Sequence, residues 1–316
     1  MKVLVTGGTG YVGRAIVRAL VRQDHACVVF ARAASRSGLP GRLIDGDVRD
    51  RAAVDRAAEG VDAICHAAAL VSIWRARRED FDEVNVGGLE NAIDVCHARG
   101  LARLVYTSSF LALPPAGEAR RGATNDYQRT KVAGLALARA AAARGVPIVS
   151  MVPGVIYGPG TATEGNLVGR LVHDHLAGRL PGIVGADKVW SFAYLDDVAA
   201  AHVAALTRGE TGREYALGGD NAPQMRLFEV LRCLRGTALP RRIPFGVASA
   251  LGYVEERRAG FFGRPPLLTR GTVEIFRHDW PLDSHESVQT LGYAVTPLEQ
   301  GLPRLLGQDL PSHPTK

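Results

Sequence analysis

Short apolar runs alternate with helical patterns over the first 152 residues, a glycine-rich turn follows the first run, and the alternation fades beyond Pro159. These three observations predict an α/β fold, a doubly wound parallel sheet with a smaller C-terminal region. Residues 1–160 are expected to build the sheet domain, with later strands from about 190–220, and residues 161–316 mainly a cap. Residues 2–6 (KVLVT) are the first strand. Residues 13–23 place Ala15, Ile16, Ala19 and Leu20 at helical spacing. Residues 26–31, with CVVF at their centre, give the second strand, and 42–45 a short third one. Asp50 is placed to cap a helix over 51–58. Residues 61–69 read as the fourth strand, 81–99 as a long helix and 104–108 as the fifth strand. A second long helix over 126–144 is ended by Gly145, and 147–152 form the sixth strand. Apolar strands separated by helices require parallel crossovers. Further on, 191–194 and 214–217 read as short strands, and 167–177, 227–234 and 272–276 as helices. Residues 245–262 read as an amphipathic helix that either covers a pocket or meets a partner. The SHPTK tail is expected to be disordered.

Composition narrows the function. The 47% hydrophobic content supports a full core, and no apolar run approaches the 18 or so residues of a membrane span. The first apolar run breaks into glycines too soon for a signal segment. The net charge of +6 raises the question of nucleic acid, but the arginines are scattered without a run of five or six. No nucleic-acid partner is therefore expected, and an arginine group serving an anionic cofactor accounts for part of the excess. Cys27, Cys65, Cys96 and Cys233 are far apart and lack CxxC spacing. They read as buried, reduced thiols of a cytoplasmic protein, not as a disulfide frame or zinc site. His173 and His175 flank an Asp but have no further ligands, so no metal is expected.

The stretch TGGTGYVG, Thr6–Gly13, joins the first strand to a helix. Gly7 permits a tight turn, Gly10 lets backbone approach a pyrophosphate, and Gly13 lets the helix pack on the strand. Free N–H groups at the helix start suit phosphates. This is the Rossmann arrangement. The second strand ends Phe30-Ala31-Arg32, with Arg36 beyond, and lacks the acid that bonds an NAD ribose. Arg32 either meets a 2′-phosphate or points to solvent. NADP is the expected cofactor, with NAD the alternative.

Several motifs in order resemble those of the extended short-chain dehydrogenases/reductases. TGGTGYVG resembles their glycine loop, and YQRTK (Tyr127–Lys131) their YxxxK. GDVRD, HAAA, NVGG, YTSS, PGVIYGPG and YLDD follow the family's order. The chain looks most similar to the dihydroflavonol reductase and 3β-hydroxysteroid dehydrogenase branch and its bacterial relatives, some labelled sugar epimerases. The resemblance implies cofactor contacts at Gly7, Gly10, Tyr11, Val12, Gly13, Arg32, Asp47, Val48, His66, Ala67, Ala68, Lys131, Pro153 and Val155. It implies Ser109, Tyr127 and Lys131 as catalytic, with Ser108 the fallback for Ser109. Many family members dimerise through two long helices, here 81–99 and 126–144, so a homodimer is expected. Phe110 and Leu111 stand where sugar-nucleotide dehydratases carry an Asp-Glu pair, which argues against dehydration.

At i and i+4 on a helix, Tyr127 and Lys131 share a face. A nearby ammonium and an oxidised nicotinamide favour the phenolate, so the Tyr127 pKa is expected to fall below its usual value near 10. Ser109, at a strand's C-terminal end, is placed to bond the reacting oxygen. Asp126 is read as a helix cap, and Asp196 and Asp197 as caps of a later helix. Asn85 either steadies the active-site backbone or simply begins a helix. The substrate pocket is expected from Val71, Trp74, Tyr157, Asn166, Trp190 and Phe192, though the aromatics are as readily ordinary core. The arginine that typically grips a sugar-nucleotide phosphate is not evident before YLDD, where the run is KVWSFAYLDD, and Lys188 is a weak substitute. These features favour an NADP(H)-dependent oxidoreductase of a ketone or secondary alcohol on a mostly apolar molecule. The alternatives are a redox-neutral nucleotide-sugar epimerase with tightly held NAD, and a non-catalytic nucleotide-binding sensor or assembly factor.

Overall fold

A computed structural model describes residues 1–118, 122–161 and 165–307; the SHPTK tail lies outside the described residues. In chain order the sheet half comprises β1 (Lys2–Thr6), α1 (Tyr11–Arg22), β2 (Ala26–Ala31), β3 (Arg42–Asp45), α2 (Arg51–Ala57), β4 (Ala63–His66) and α3 (Glu79–Asp82). A π-helical turn at Glu83–Gly87 leads into α4 (Gly88–Ala98), followed by β5 (Arg103–Thr107), α5 (Asp126–Ala143) and β6 (Ile148–Pro153). Beyond it come β7 (Val155–Tyr157), α6 (Leu167–Leu176), β8 (Ile183–Val184), β9 (Val189–Tyr194), α7 (Leu195–Arg208), β10 (Glu214–Leu217) and β11 (Asp220–Pro223). The chain closes with α8 (Met225–Arg235), β12 (Arg242–Ile243), α9 (Phe245–Phe262), α10 (Arg270–Phe276), α11 (His285–Leu291) and α12 (Leu298–Leu305).

Seven parallel strands form the central sheet in the order β10-β6-β5-β4-β1-β2-β3. The period of two along β1 sorts its side chains between layers. Val3 and Val5 join Ile16, Leu20 and Val198 under α1 and α7. Leu4 joins Ile64, Leu89 and Leu104 under α2, α4 and α5. All are fully buried, and each such side chain contributes about 1.5–3 kcal/mol of transfer free energy. A three-stranded sheet, β11-β9-β7, and the pair β12-β8 carry the C-terminal region.

Four local expectations change. The helix expected over 81–99 is interrupted by the π turn, because Asn85 is drawn out of the helical pattern toward Leu70 and Thr130. The fourth strand stops at His66 because its partner β1 ends at Thr6, where the chain turns into the glycine loop. Helix α5 is capped by Asn125, whose side chain accepts from Gln128 N–H at 2.8 Å, and not by Asp126. Neither Asp196 nor Asp197 caps α7; both lie in its first turn, and Asp197 accepts from Thr296 N–H. Asp50 does cap α2, accepting from Ala53 N–H.

Candidate active site

The glycine turn sits over the C-terminal edge of β1. Gly7 has φ +68° and a Cβ there would lie 2.5 Å from Ala68 Cα, so the turn and the chain after β4 are in direct contact. A Cβ on Gly13 would lie 2.2 Å from the Gly7 carbonyl oxygen. The helix α1 thus starts against the turn itself. Its first backbone bond runs from Arg14 N–H to Gly10, which leaves the N–H groups of Tyr11, Val12 and Gly13 outside the helix ladder. Gly10 offers no side-chain cap and the first turn holds no acid. Such a helix start fits an anionic pyrophosphate. Tyr11 donates its hydroxyl to the Gly158 carbonyl, tying the turn to the loop after β7.

Around that turn the other expected cofactor residues gather at the strand ends. Arg32 is exposed and makes no hydrogen bond or ion pair among the described residues. Asp47 is held by Arg49 through bonds of 2.7 and 3.0 Å, which keeps its carboxyl below the usual range. Val48 is buried against Gly88, and its carbonyl accepts from Asn91. His66 is buried, bonded to Thr6 Oγ1 through Nδ1, and pushed down to about 3 by burial, with Lys131 adding repulsion. Its Nε2 has no partner. Ala67 and Ala68 follow it beneath the turn, Pro153 ends β6, and Val155 opens β7.

Helix α5 carries Tyr127 and Lys131 to the end of β5. The Lys131 Nζ donates to the Thr107 carbonyl at 3.0 Å and lies 5.8 Å from the Tyr127 ring centre. Ser109 follows β5, and its hydroxyl lies close enough to Tyr127 to favour the ionised phenol. Ser108 is buried with its hydroxyl unpartnered, next to the buried Tyr106. Geometry therefore places Ser109, not Ser108, beside Tyr127. The pKa expectation reverses: burial pushes the Tyr127 phenol up to about 12, outweighing Ser109. Burial pulls Lys131 down to about 8.

Two residues hold this group from behind. Asn85 accepts from Leu70 N–H at 2.6 Å and donates to the Leu70 carbonyl and to Thr130 on α5. Asn85 lies inside the π turn, not at the start of α4, and its side chain ties the chain after β4 to α5. His202 was not singled out from the sequence. Its Nδ1 bonds the Val198 carbonyl, so Nε2 accepts from the Thr107 hydroxyl at 2.9 Å. Burial lowers it to about 4, keeping it neutral. Thr107 in turn receives Lys131. Nothing in the sequence pattern marks a histidine inside an Ala-rich helix as part of such a chain.

Of the expected substrate residues, Val71 and Trp74 lie half-buried in the loop after β4. Trp74 lines a cleft of about 370 Å³ with Arg75, Arg78, Asn125, Arg129 and Glu256. The structure places the other four inside the packing instead of on that wall. Tyr157 gives its hydroxyl to the Thr296 carbonyl, and Asn166 caps α6. Trp190 and Phe192 are 3% and 2% exposed in one cluster with Phe110 and Leu111, against which Tyr127 packs.

Lys131 yields a stability prediction. Unfolded lysine keeps its proton to about pH 10.4, whereas the buried one releases it near 8. The unfolded state thus binds more protons between those values, and stability rises with pH across them. The Tm gain of Lys131→Met over the parent should be largest at pH 7 and shrink toward pH 10. A gain that does not change with pH would contradict the buried ammonium.

The model of the NAD dependent epimerase/dehydratase family matches residues 3–218, a span that holds the glycine turn, Ser109, Tyr127 and Lys131. The chain belongs to this family. It is an extended short-chain dehydrogenase/reductase and an NAD(P)-dependent enzyme of that type. Sterol demethylase protein B of Methylococcus capsulatus is 31% identical over 94% of each chain. The 2-alkyl-3-oxoalkanoate reductase of Stenotrophomonas maltophilia is 30% identical over 96% of this chain and 98% of its own. Among solved structures, gox2253 superposes with TM-score 0.81 at 26% identity over 96% of each chain. The UDP-glucose 4-epimerase of Thermus thermophilus in complex with NAD shares the fold, with TM-score 0.74 at 23% identity over 97% of this chain and 99% of its own. No helix among the described residues is long and apolar enough to cross a membrane.

Proposed function

We propose that the protein is an NADP(H)-dependent oxidoreductase that interconverts a ketone and a secondary alcohol on a mostly apolar small molecule. The observation that carries this reading is the state of the charges around the cleft. Arg78 is paired with Asp126, Arg129 with Asp82, and Arg270 with Glu256. Lys188, the weak candidate for a sugar-nucleotide phosphate, is paired with Asp279. Arg75 donates to Ser72 and to the Trp74 carbonyl. A diphosphate would have to compete with these carboxylates, at a modest cost for each exposed pair, whereas a neutral, apolar substrate leaves the pairs in place.

The glycine turn, the start of α1 and Arg32 would hold the dinucleotide, which supplies or accepts the hydride when bound. Tyr127 handles the proton. At neutral pH burial keeps it a phenol, ready to donate to a carbonyl oxygen as that oxygen gains charge; in the oxidising direction the phenolate, formed by release of the phenol proton to solvent, takes the hydroxyl proton. Ser109 donates a hydrogen bond to the reacting oxygen. Lys131, fixed on Thr107, supplies positive charge beside Tyr127.

Arg32 and the strand ends support NADP. Ala31 lies opposite Asp45 in register, and Asp45 is already taken by the backbone N–H and hydroxyl of Ser35. No acid is therefore left for a ribose 2′-hydroxyl, while Arg32 is uncommitted. Purified protein should release no tightly held NAD on denaturation and should bind NADPH better than NADH. Arg32→Glu should weaken NADPH about tenfold or more and leave NADH no weaker, since one charge-assisted bond is worth about 1.5–3 kcal/mol and an acid there suits a ribose 2′-hydroxyl. Stoichiometric bound NAD would point to the epimerase reading and overturn this one. We also propose a homodimer through α4 and α5, for which sedimentation equilibrium should return twice the monomer mass.

A further inference from the structure

Helix α9 presents its bulk outward. The residues it buries are Ala248, Gly252, Glu255 and Ala259, three of them small, and Gly252 meets the start of α10 closely. Val247, Leu251, Val254, Phe261 and Phe262 recur at helical spacing along another face, and all are exposed. At the helix end Phe261, Phe262 and Leu267 are 83%, 65% and 78% exposed, with the two phenyl rings edge to face at 4.9 Å. A contiguous group of large apolar side chains in water marks an interaction surface.

The charges on this segment select the partner. Residues 245–268 contain two acids and three arginines. Both acids are turned inward and bonded: Glu255 to Leu267 N–H and Arg258, Glu256 to Arg270. The exposed charges on this segment with no ion pair among the described residues are Arg257 and Arg264. Arg257 lies over the Tyr253 ring at 5.2 Å, an aromatic belt residue beside a cation. An apolar stripe ending in two phenylalanines, with Arg257 and Arg264 exposed beside it, fits an anionic bilayer surface, which takes the aromatics at the headgroup boundary and the arginines among its phosphates. A second copy apposing the same face would set arginine against arginine. We propose that α9 and the following loop dock the protein on anionic lipid membranes, lying in the interface and not spanning it. Glu256 and Thr269, at the back of this surface, also line the cleft beside Asn125 and Arg129. On the substrate class proposed above, an apolar molecule dissolved in the bilayer would then lie near residues that line the cleft.

The test is co-sedimentation of the full chain with phosphatidylcholine vesicles, with and without phosphatidylglycerol. The protein should partition onto the anionic vesicles and release as salt is raised. Phe261→Ser/Phe262→Ser/Leu267→Ser should abolish partitioning. Arg257→Gln/Arg264→Gln should weaken it about thirtyfold, a factor of about five per arginine. Because these side chains are exposed, both variants should keep the parent's Tm and NADPH affinity, which separates the docking surface from the nucleotide site. The proposal is overturned if anionic vesicles bind no protein, or if binding is indifferent to both variants. It is also overturned if the triple variant instead removes a lipid-free self-association, which would assign the face to a second copy.

Discussion

Tyr127→Phe should cut turnover by about a hundredfold to ten-thousandfold, the usual share of a positioned proton donor. The phenol is the group within reach of Ser109, and its ring packs against Phe110 and its neighbours, so removing one oxygen leaves the shape intact. NADPH affinity and Tm should stay close to the parent's. The pH profile makes the assignment specific. Burial drives the free phenol to about 12, so the reducing direction should run without loss through neutral pH. The oxidising direction, which needs the phenolate, should gain with rising pH. A Tyr127→Phe variant as active as the parent under single-turnover conditions would sink the mechanism.

The second large effect belongs to Gly13. An alanine there would push its methyl to 2.2 Å from the Gly7 carbonyl oxygen and 2.8 Å from Gly8 Cα, both parts of a rigid turn. The start of α1 must retreat, and with it the N–H groups of Tyr11, Val12 and Gly13. Overpacking of this kind costs about 1–3 kcal/mol of stability. Titration with NADPH should show affinity lost by more than tenfold, because the phosphate-facing dipole is displaced as a unit. Gly10→Ala makes the contrast: its Cβ meets only the Gly7 oxygen, at 3.1 Å, so the turn itself should survive. An unaltered NADPH affinity in Gly13→Ala would mean that the dinucleotide does not rest on this turn.

The parts legible in the sequence were those governed by short periods. Alternating apolar runs predicted the parallel sheet and its flanking helices, and a spacing of four put Tyr127 and Lys131 on one face. What the sequence hid depends on distant partners. The direction of the Tyr127 shift follows from how deeply the phenol is enclosed by packing that sequence spacing does not record. The Thr107–His202 contact joins residues 95 apart. Trp190 and Phe192 have the same apolar character whether they line a pocket or fill a core, and only the packing of Phe110 against Trp190 and Trp280 decides between them. Strands as short as β8 and β12, two residues each, leave no periodicity to read.

The C-terminal segment reaches back to the sheet at many points. Asp197 receives Thr296, Asp220 receives Leu298, the Arg208 side chain bonds the Leu291 carbonyl, and a Cβ on Gly301 would strike the Tyr157 hydroxyl. Residues 291–301 therefore help close the layer over α7 and β7. A chain emerging from the ribosome can assemble β1 to β5 early, but this layer stays open until residues near 300 have emerged. The final cooperative folding step of this enzyme should therefore await those residues, and until then apolar surface on that side needs shielding.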